Sequence, residues 1–447
     1  MVTAKNDHLI FPGARLFTKK DAVFINKERK TLLSLLEDKA CHSFIKNKIH
    51  IGSLSTGCHA CGQGTWSCAF IHNKCNIDCF FCPGKRSSIG MDSVKTEGIF
   101  FNNPEDYADY IKIFGFKGVG ISGGEPFLVF DKLVRYIKKI REKTSDDLYI
   151  WVYTNGSLVD VNKLRILKDC GLNEIRFNIS GRGYGLGPVK MAIGIIDNVT
   201  IEIPAIPEDY EIVKKLLHKL YTIGVNFLNL HQMDTFPRNY KGYIKRKYTL
   251  LDIAYSPVFA SEVTALKLLK YALDKKIKLP INYCSSAYKN NIQLSSRRKR
   301  FALWLRNKTQ YVTDSGYIRS FSAQGSKKDL NLSYYKPVVG GRVSKDTISR
   351  QLTLNSGRII TLRGEPVFHF EKISPLARKT FIRMFIDKEN FNKALEYFYR
   401  NYTMLSRKDV RRMEKESAAL LTSRQWELIG NGFPSIKPWP LPFSFYD

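Results

Sequence analysis

The 447-residue sequence reads as an α/β protein, a series of strand-then-helix units on a parallel sheet followed by a smaller α+β region. Three observations predict this. Short apolar runs alternate with helical periodicity through the middle of the chain, the pattern of βα units and a parallel sheet. Polar motifs stand directly after several of those runs, where barrel enzymes build their sites. The chain is about three times a typical domain, whereas the repeating part needs only residues 62 to 285, so further domains must flank it.

The elements follow in order. A mixed, lysine-rich stretch, 1–61, forms an N-terminal extension. The first strand is Ser67-Cys68-Ala69-Phe70-Ile71-His72. Helical periodicity near Pro104–Phe114, Phe130–Glu142, Val161–Cys170, Gly187–Ile196 and Asp209–Ile223 then alternates with five more strand runs. These are Gly118–Ser122, Tyr149–Tyr153, Glu174–Ile179, Val199–Ile206 and Asn226–Leu230. Six strands result, and the core is expected to end near residue 285. In 286–447, Tyr311–Thr313 and Ile318–Ser322 read as strands, and Gln351–Asn355 with Ile359–Leu362 reads as a hairpin around Ser356-Gly357. Helical patterns at Pro375–Ile386, Phe391–Tyr399 and Lys408–Leu421 precede the proline-rich tail Pro434–Pro442, which makes this region an accessory α+β domain. No apolar run reaches the roughly 18 residues a membrane span needs. The start, Met1-Val2-Thr3-Ala4-Lys5, lacks the apolar stretch of a signal peptide. A cytoplasmic protein with reduced cysteines is expected.

The chemistry is concentrated in Cys75-x3-Cys79-x2-Cys82-Pro83, just beyond the first strand. Three thiolates in one short loop can hold three irons of a [4Fe–4S] cluster and leave the fourth iron open to a group that is not protein. An open iron can chelate the amino and carboxylate groups of S-adenosylmethionine (SAM) and pass one electron to its sulfonium. A lone CxxC would instead suggest structural zinc, but such a site wants four ligands, usually from paired motifs. Here Phe81 precedes the third cysteine, and Gly123-Gly124-Glu125-Pro126 ends the next strand run.

With these residues the chain resembles the radical SAM superfamily, whose signature is CxxxCxΦC with a GGE-like motif. The resemblance implies a partial (β/α)6 TIM-like barrel and an enzyme that forms a 5′-deoxyadenosyl radical. It implies that Cys75, Cys79 and Cys82 ligate the cluster, that Phe81 packs near the adenine, and that Gly123, Gly124 and Glu125 receive the methionyl ammonium. Thr154-Asn155-Gly156 and Asn178-Ile179-Ser180 end the next two strands, where polar groups such as Asn155 are expected to meet the carboxylate or ribose; Ser180 is the residue expected at the ribose, with turn capping as its alternative. Ile201-Glu202-Ile203-Pro204 matches the family's adenine pattern only weakly. His231-Gln232 follows the sixth strand.

Four further cysteines, Cys58, Cys61, Cys68 and Cys284, have two readings. They hold an auxiliary iron–sulfur cluster, or Cys58 and Cys61 belong to a structural zinc site while Cys68 packs as a small apolar residue. The segments Gly57-Cys58-His59-Ala60-Cys61, Leu228–Met233 and Asn282–Lys289 resemble a branch related to pyruvate formate-lyase activating enzymes. They are also similar to radical SAM maturases of ribosomal peptides, including those that excise part of a tyrosine residue from a backbone. The resemblance covers the barrel and its edges.

Charge bears on the substrate. A formal net charge of +30 at pH 7 favours acidic polymers or peptides. Basic clusters stand at Lys245-Arg246-Lys247, Arg297-Arg298-Lys299-Arg300, and Arg407-Lys408 with Arg411-Arg412; any single cluster reads first as a solvated helix face, and it is the whole-chain excess that calls for an acidic partner. The expected substrate is an acidic peptide or protein, with RNA as the alternative, since the same charges would contact phosphates. An electron donor such as flavodoxin or ferredoxin is the expected partner.

Overall fold

A computed structural model describes residues 15–16, 19–44, 48–84, 93–97, 99–236, 238–250, 257–306, 310–312, 318–321, 343–353 and 359–370. The three helices expected after residue 374, the proline-rich tail and the Arg407–Arg412 cluster lie outside these residues. The chain divides into two compact units, one holding residues 1–294 with 352–360 and the other 295–351 with 361–447.

The first unit begins with β1 (Arg15–Leu16), α1 (Lys19–Glu37), β2 (Cys41–Ser43), β3 (Lys48–Ile51) and α2 (Thr56–Gln63). Next come β4 (Trp66–Phe70), β5 (Val94–Thr96), β6 (Ile99–Phe101), α3 (Pro104–Ile113), β7 (Gly118–Ser122), α4 (Phe130–Lys143) and β8 (Tyr149–Thr154). The series continues with α5 (Val161–Asp169), β9 (Glu174–Phe177), α6 (Gly187–Ala192), β10 (Asn198–Pro204), α7 (Tyr210–Thr222) and β11 (Phe227–His231). It closes with α8 (Tyr240–Lys245), β12 (Thr249–Leu250), α9 (Phe259–Asp274), β13 (Ile281–Cys284) and α10 (Ser286–Tyr288). Beyond residue 294, α11 (Ser295–Leu305) carries Arg297–Arg300 and precedes β14 (Gln310–Val312), β15 (Ile318–Phe321), β16 (Val343–Thr353) and β17 (Ile359–Phe370). These strands form a sheet in the order β14-β15-β17-β16, so the pair expected around Ser356-Gly357 is present as neighbours longer than the sequence marked.

The main sheet has the order β2-β3-β13-β11-β10-β9-β8-β7-β4-β5-β6 and, among the described residues, two free edges, as an open, partial barrel does. From β4 through β7, β8, β9, β10 and β11 to β13 the neighbours are all parallel. Six parallel strands were expected, and the structure corrects this to seven. The added strand, β13, was missed because its inward residues Asn282 and Cys284 are polar, which hides the apolar signature of a buried strand. Residues 41–51, read as extension, pair antiparallel onto β13 through β3.

Local chemistry sets the helix positions. Asn103 caps α3 by accepting from Asp106 N at 2.8 Å, with Pro104 in the first turn, and Asp160 caps α5 by accepting from Lys163 N at 2.8 Å. Along α4, Leu133, Tyr136, Ile137 and Ile140 recur at helical spacing and are buried.

The inner face of the sheet is polar, and its packing explains two glycines. A Cβ on Gly118 or Gly120 of β7 would come within 2.9 or 2.8 Å of the Trp151 indole on β8, so these glycines make the space the ring fills. Beside it, Arg176 is paired by both oxygens of Glu174 at 3.0 Å, and its Nη1 reaches Glu202 at 3.4 Å. Although burial favours the neutral acid, the charges of His231 and Arg176 hold the Glu202 carboxyl down to about 2. Replacing Arg176 by Met would leave Glu174 buried without its counter-charge and remove one of the two charges that face Glu202. Urea unfolding should show a loss of about 3–5 kcal/mol, the scale of breaking a buried ion pair on one side; a loss near that of a surface substitution would show the network is dispensable.

Candidate functional site

The loop from Ile71 to Gly84 leaves the carboxyl end of β4 and carries Cys75, Cys79 and Cys82. It is tied to three neighbouring strand ends. After β8, Asn155 Nδ2 donates to Asn76 Oδ1 at 2.9 Å and approaches Cys75 Sγ at 3.8 Å, while Asn76 donates to Ser157 at 2.7 Å. After β9, Gly181 lies so close that a Cβ there would be 2.7 Å from Cys79 Sγ. After β11, Arg238 binds Asp78 at 2.7 Å and Gly84 O at 2.9 Å, with Nη1 3.8 Å from Cys82 Sγ. Asn239 also donates to Phe81 O at 3.0 Å. Phe80 and Phe81 pack against Ile206, Met233, Tyr243, Tyr248 and Val258, and the Arg246 guanidinium lies 3.5 Å over the Phe80 ring. Arg238, Asn239 and Gly181 were missed in the sequence. Gly181 lies in the turn after β9, whereas Arg238 and Asn239 lie well beyond the end of β11, where no local pattern marks them.

Gly123-Gly124-Glu125 meets this loop backbone to backbone. Gly124 N donates to His72 O and Glu125 N to Lys74 O, both at 2.8 Å. A Cβ on Gly123 would sit 2.2 Å from His72 O, and one on Gly124 1.8 Å from Lys74 O. The close approach that requires glycine here is therefore to the chain's own backbone. The Glu125 carboxylate, expected to pair with a ligand ammonium, is turned into the protein. It accepts from Phe127 N at 3.1 Å, Thr154 Oγ1 at 2.8 Å and Asn155 N at 2.7 Å. Burial pushes its pKa up, against these three hydrogen bonds. Ser180 donates to Asn178 Oδ1 at 2.6 Å in a turn, the structural role its sequence context also allowed. Gln232 accepts from Ser286 N at 2.9 Å, which makes it a bridge between strand ends. Strand alternation turns Glu202 into the inner ionic network and sends Ile201 and Ile203 to the other face.

A second set of cysteines converges on the inner face of the sheet. Cys58 and Cys61 lie one helical turn apart on α2, and Asn282 Nδ2 stands 3.6 Å from Cys58 Sγ and 3.5 Å from Cys284 Sγ. The buried Lys48 ammonium donates to Cys284 Sγ at 3.1 Å and rests 3.7 Å from the Tyr288 ring centroid. Burial raises the Cys58 and Cys61 thiols. Burial would raise Cys284 too, but Lys48 and His231 pull it below its ordinary range. Cys68 packs with Cys61 against Ala60, Trp66 and Trp151. Around these thiols Trp66 Nε1, Trp151 Nε1, Asn282 Oδ1 and the Tyr288 hydroxyl are buried without a hydrogen-bond partner among the described residues.

Among the described residues, no three His, Cys, Asp or Glu side chains stand close enough to hold a metal ion as placed. The donor set of the first loop nevertheless fits a metal cluster. Burial, then the neighbouring Cys82, Cys75 and Asp78, push the Cys79 thiol up to about 11, as expected where three sulfurs cannot ionise together without a cation. Asn155 and Arg238 bring N–H groups toward two of the sulfurs.

Residues 70–182 match the family model of the radical SAM superfamily. A Methanocaldococcus jannaschii protein assigned by name to the glycyl-radical enzyme activating enzymes is 30% identical over 275 residues, which cover 59% of this chain and 72% of that protein. A second protein of that organism, named as a GTP 3′,8-cyclase, is 34% identical over 112 residues, covering 24% of this chain and 34% of the other. Among solved structures, native anSMEcpe with bound AdoMet and Kp18Cys peptide aligns over 36% of this chain and 49% of that chain, with 16% identity and a TM-score of 0.28, a likeness too low to carry an argument. The chain belongs to the radical SAM superfamily. It is an enzyme that generates a radical from SAM for a modification reaction, and binding of SAM and an iron–sulfur cluster comes with the family.

Gly124→Ala should force the loop away from its seat, because the new methyl group would overlap Lys74 O. Anaerobically reconstituted variant should hold less iron per chain than wild type. Gly187→Ala, where a Cβ meets nothing within 4 Å, is the control and should load normally. Equal iron in both variants would show that the loop does not depend on this contact.

Proposed function

We propose that Cys75, Cys79 and Cys82 ligate a [4Fe–4S] cluster and that residues 62–285 form the catalytic core of a peptide- or protein-modifying radical SAM enzyme. The observation that carries the ligand assignment is the three-point fastening of the Cys75–Cys82 loop above the GGE backbone. A cluster held there would supply the electron that cleaves the sulfonium of SAM and so a 5′-deoxyadenosyl radical. The chain's own residues prepare that site. Asn155 and Arg238 bring N–H groups to the sulfurs, and Gly124 and Glu125 fix the loop's backbone through His72 and Lys74. Phe80 and Phe81 wall one side with aromatic carbon.

The substrate reading rests on two further observations. The 30% identical relative is named for activating another enzyme, and activation of that kind acts on a protein. The Lys245-Arg246-Lys247 cluster lies beside the site, with Arg246 stacked on Phe80 of the loop itself, so positive charge flanks the place where a substrate would enter. We read the substrate as an acidic peptide or protein, of which a ribosomally made precursor modified at tyrosine is the most specific form. Cys58, Cys61 and Cys284, with Cys68 beside them, are proposed to hold a second cluster on the inner face of the sheet.

Changing Cys75, Cys79 or Cys82 to Ala should abolish 5′-deoxyadenosine formation in anaerobically reconstituted protein, and unchanged formation would defeat the ligand assignment. The triple variant should keep about four irons if the inner cysteines hold a cluster; zinc, or no metal, would leave them structural.

Salt dependence tests the substrate class. An acidic precursor peptide encoded beside the gene should stay bound at moderate salt, because apolar contacts add to its few charges, whereas bulk tRNA should be released. Retention of one defined tRNA through that wash, with SAM-dependent change of a single nucleotide, would replace the peptide reading by RNA modification.

A further inference from the structure

His231 ends β11, and strand alternation turns it to the inner face with Asn229, Glu202 and Arg176. Its Nε2 meets Glu202 Oε1. The other Glu202 oxygen accepts from Asn229 Nδ2 at 2.6 Å and from Arg176 Nη1 at 3.4 Å, and Arg176 is held in turn by Glu174. Exposure grades along this chain. The side chains of Glu174 and Arg176 are 0% and 2% exposed, Glu202 13%, and His231 30%, so the network runs from the centre of the sheet to its open, carboxyl end.

The chemistry of the pair fixes the tautomer. An ionised carboxylate can only accept, so Nε2 carries the proton, and in the neutral form of the ring the lone pair is on Nδ1. Among the described residues Nδ1 has no partner. A purely structural reading makes His231 the last donor to a buried carboxylate, yet Asn229 and Arg176 already donate to Glu202. The loop that follows His231 reaches the cysteine loop directly, through Arg238 on Asp78 and near Cys82. The accessible nitrogen therefore stands at the end of the sheet where the cysteine loop is mounted.

We propose that His231 contacts the substrate, accepting a hydrogen bond through Nδ1 from a peptide N–H or O–H, with Glu202 as the positioning residue that fixes the ring and Arg176 as the support of Glu202. The identity of the ligand rests on the peptide reading above. The geometry of the dyad does not.

Variants separate the two ring nitrogens. His231→Gln keeps an N–H near the Nε2 position and removes Nδ1; His231→Asn places a carbonyl oxygen near Nδ1 and gives up the Glu202 contact. Each reconstituted holoenzyme is given the acidic precursor peptide, and the ratio of modified peptide to 5′-deoxyadenosine is measured. The ratio should fall about tenfold in His231→Gln, the scale of one hydrogen bond to a ligand, and less in His231→Asn. A His231→Gln ratio equal to wild type would overturn the proposal. Nitrogen-15 chemical shifts of the His231 ring in the oxidised holoenzyme give a readout that needs no substrate. The ring should be protonated at Nε2 in wild type and mixed in Glu202→Gln, and a wild-type ring protonated at Nδ1 would overturn the proposal. If wild type modifies no peptide at all, the substrate class fails, and the ring shifts still decide the dyad.

Discussion

The Arg176 guanidinium is the fixed point of the first unit. It lies on the inner face of the sheet between two carboxylates, Glu174 on its own strand and Glu202 on the next, and donates to Ser55, the N-cap of α2, at 3.1 Å. Its planar fork also lies over the Trp151 and Tyr153 rings. One side chain thus joins β8, β9, β10 and α2. Its burial forces other choices. A Cβ on Gly57 would come within 2.4 Å of the guanidinium, so α2 can pack here only with glycine at that position. A barrel interior of branched apolar residues would need no such pairing, but it would offer no polar surface to a substrate or second cofactor.

The Cys75–Cys82 loop is governed by a different constraint, the approach of two backbones. Phe80 and Phe81 seat one part of the loop on apolar carbon, but the cysteines themselves bring none. The loop is held by main-chain hydrogen bonds from the GGE turn and by side chains arriving from several strand ends. The Glu125 carboxylate braces the turn below through Thr154, Asn155 and Phe127.

Much of this was legible in the sequence, for a physical reason that differs by element. The strand-then-helix series showed itself because apolar runs and helical periodicity are local signals. The cysteine loop showed itself because three soft ligands within eight residues have few other uses. β13 stayed hidden because Asn282 and Cys284 face a polar interior, so its pattern resembled a loop. Arg238 and Lys48 stayed hidden because nothing local separates an arginine or lysine that meets a sulfur from the many that face water.

The sequence by itself therefore determined the family, the cofactor chemistry that belongs to it and the general α/β architecture, since each is written in short-range spacing. Only the tertiary structure decided that Glu125 turns inward, that Cys58 and Cys284 share the amide of Asn282, and that Glu202 joins Arg176 to His231. Those facts depend on which strands become neighbours and which face each residue takes. Pairing register sets both, across as many as 224 residues between Cys58 and Asn282, and no local pattern carries that information.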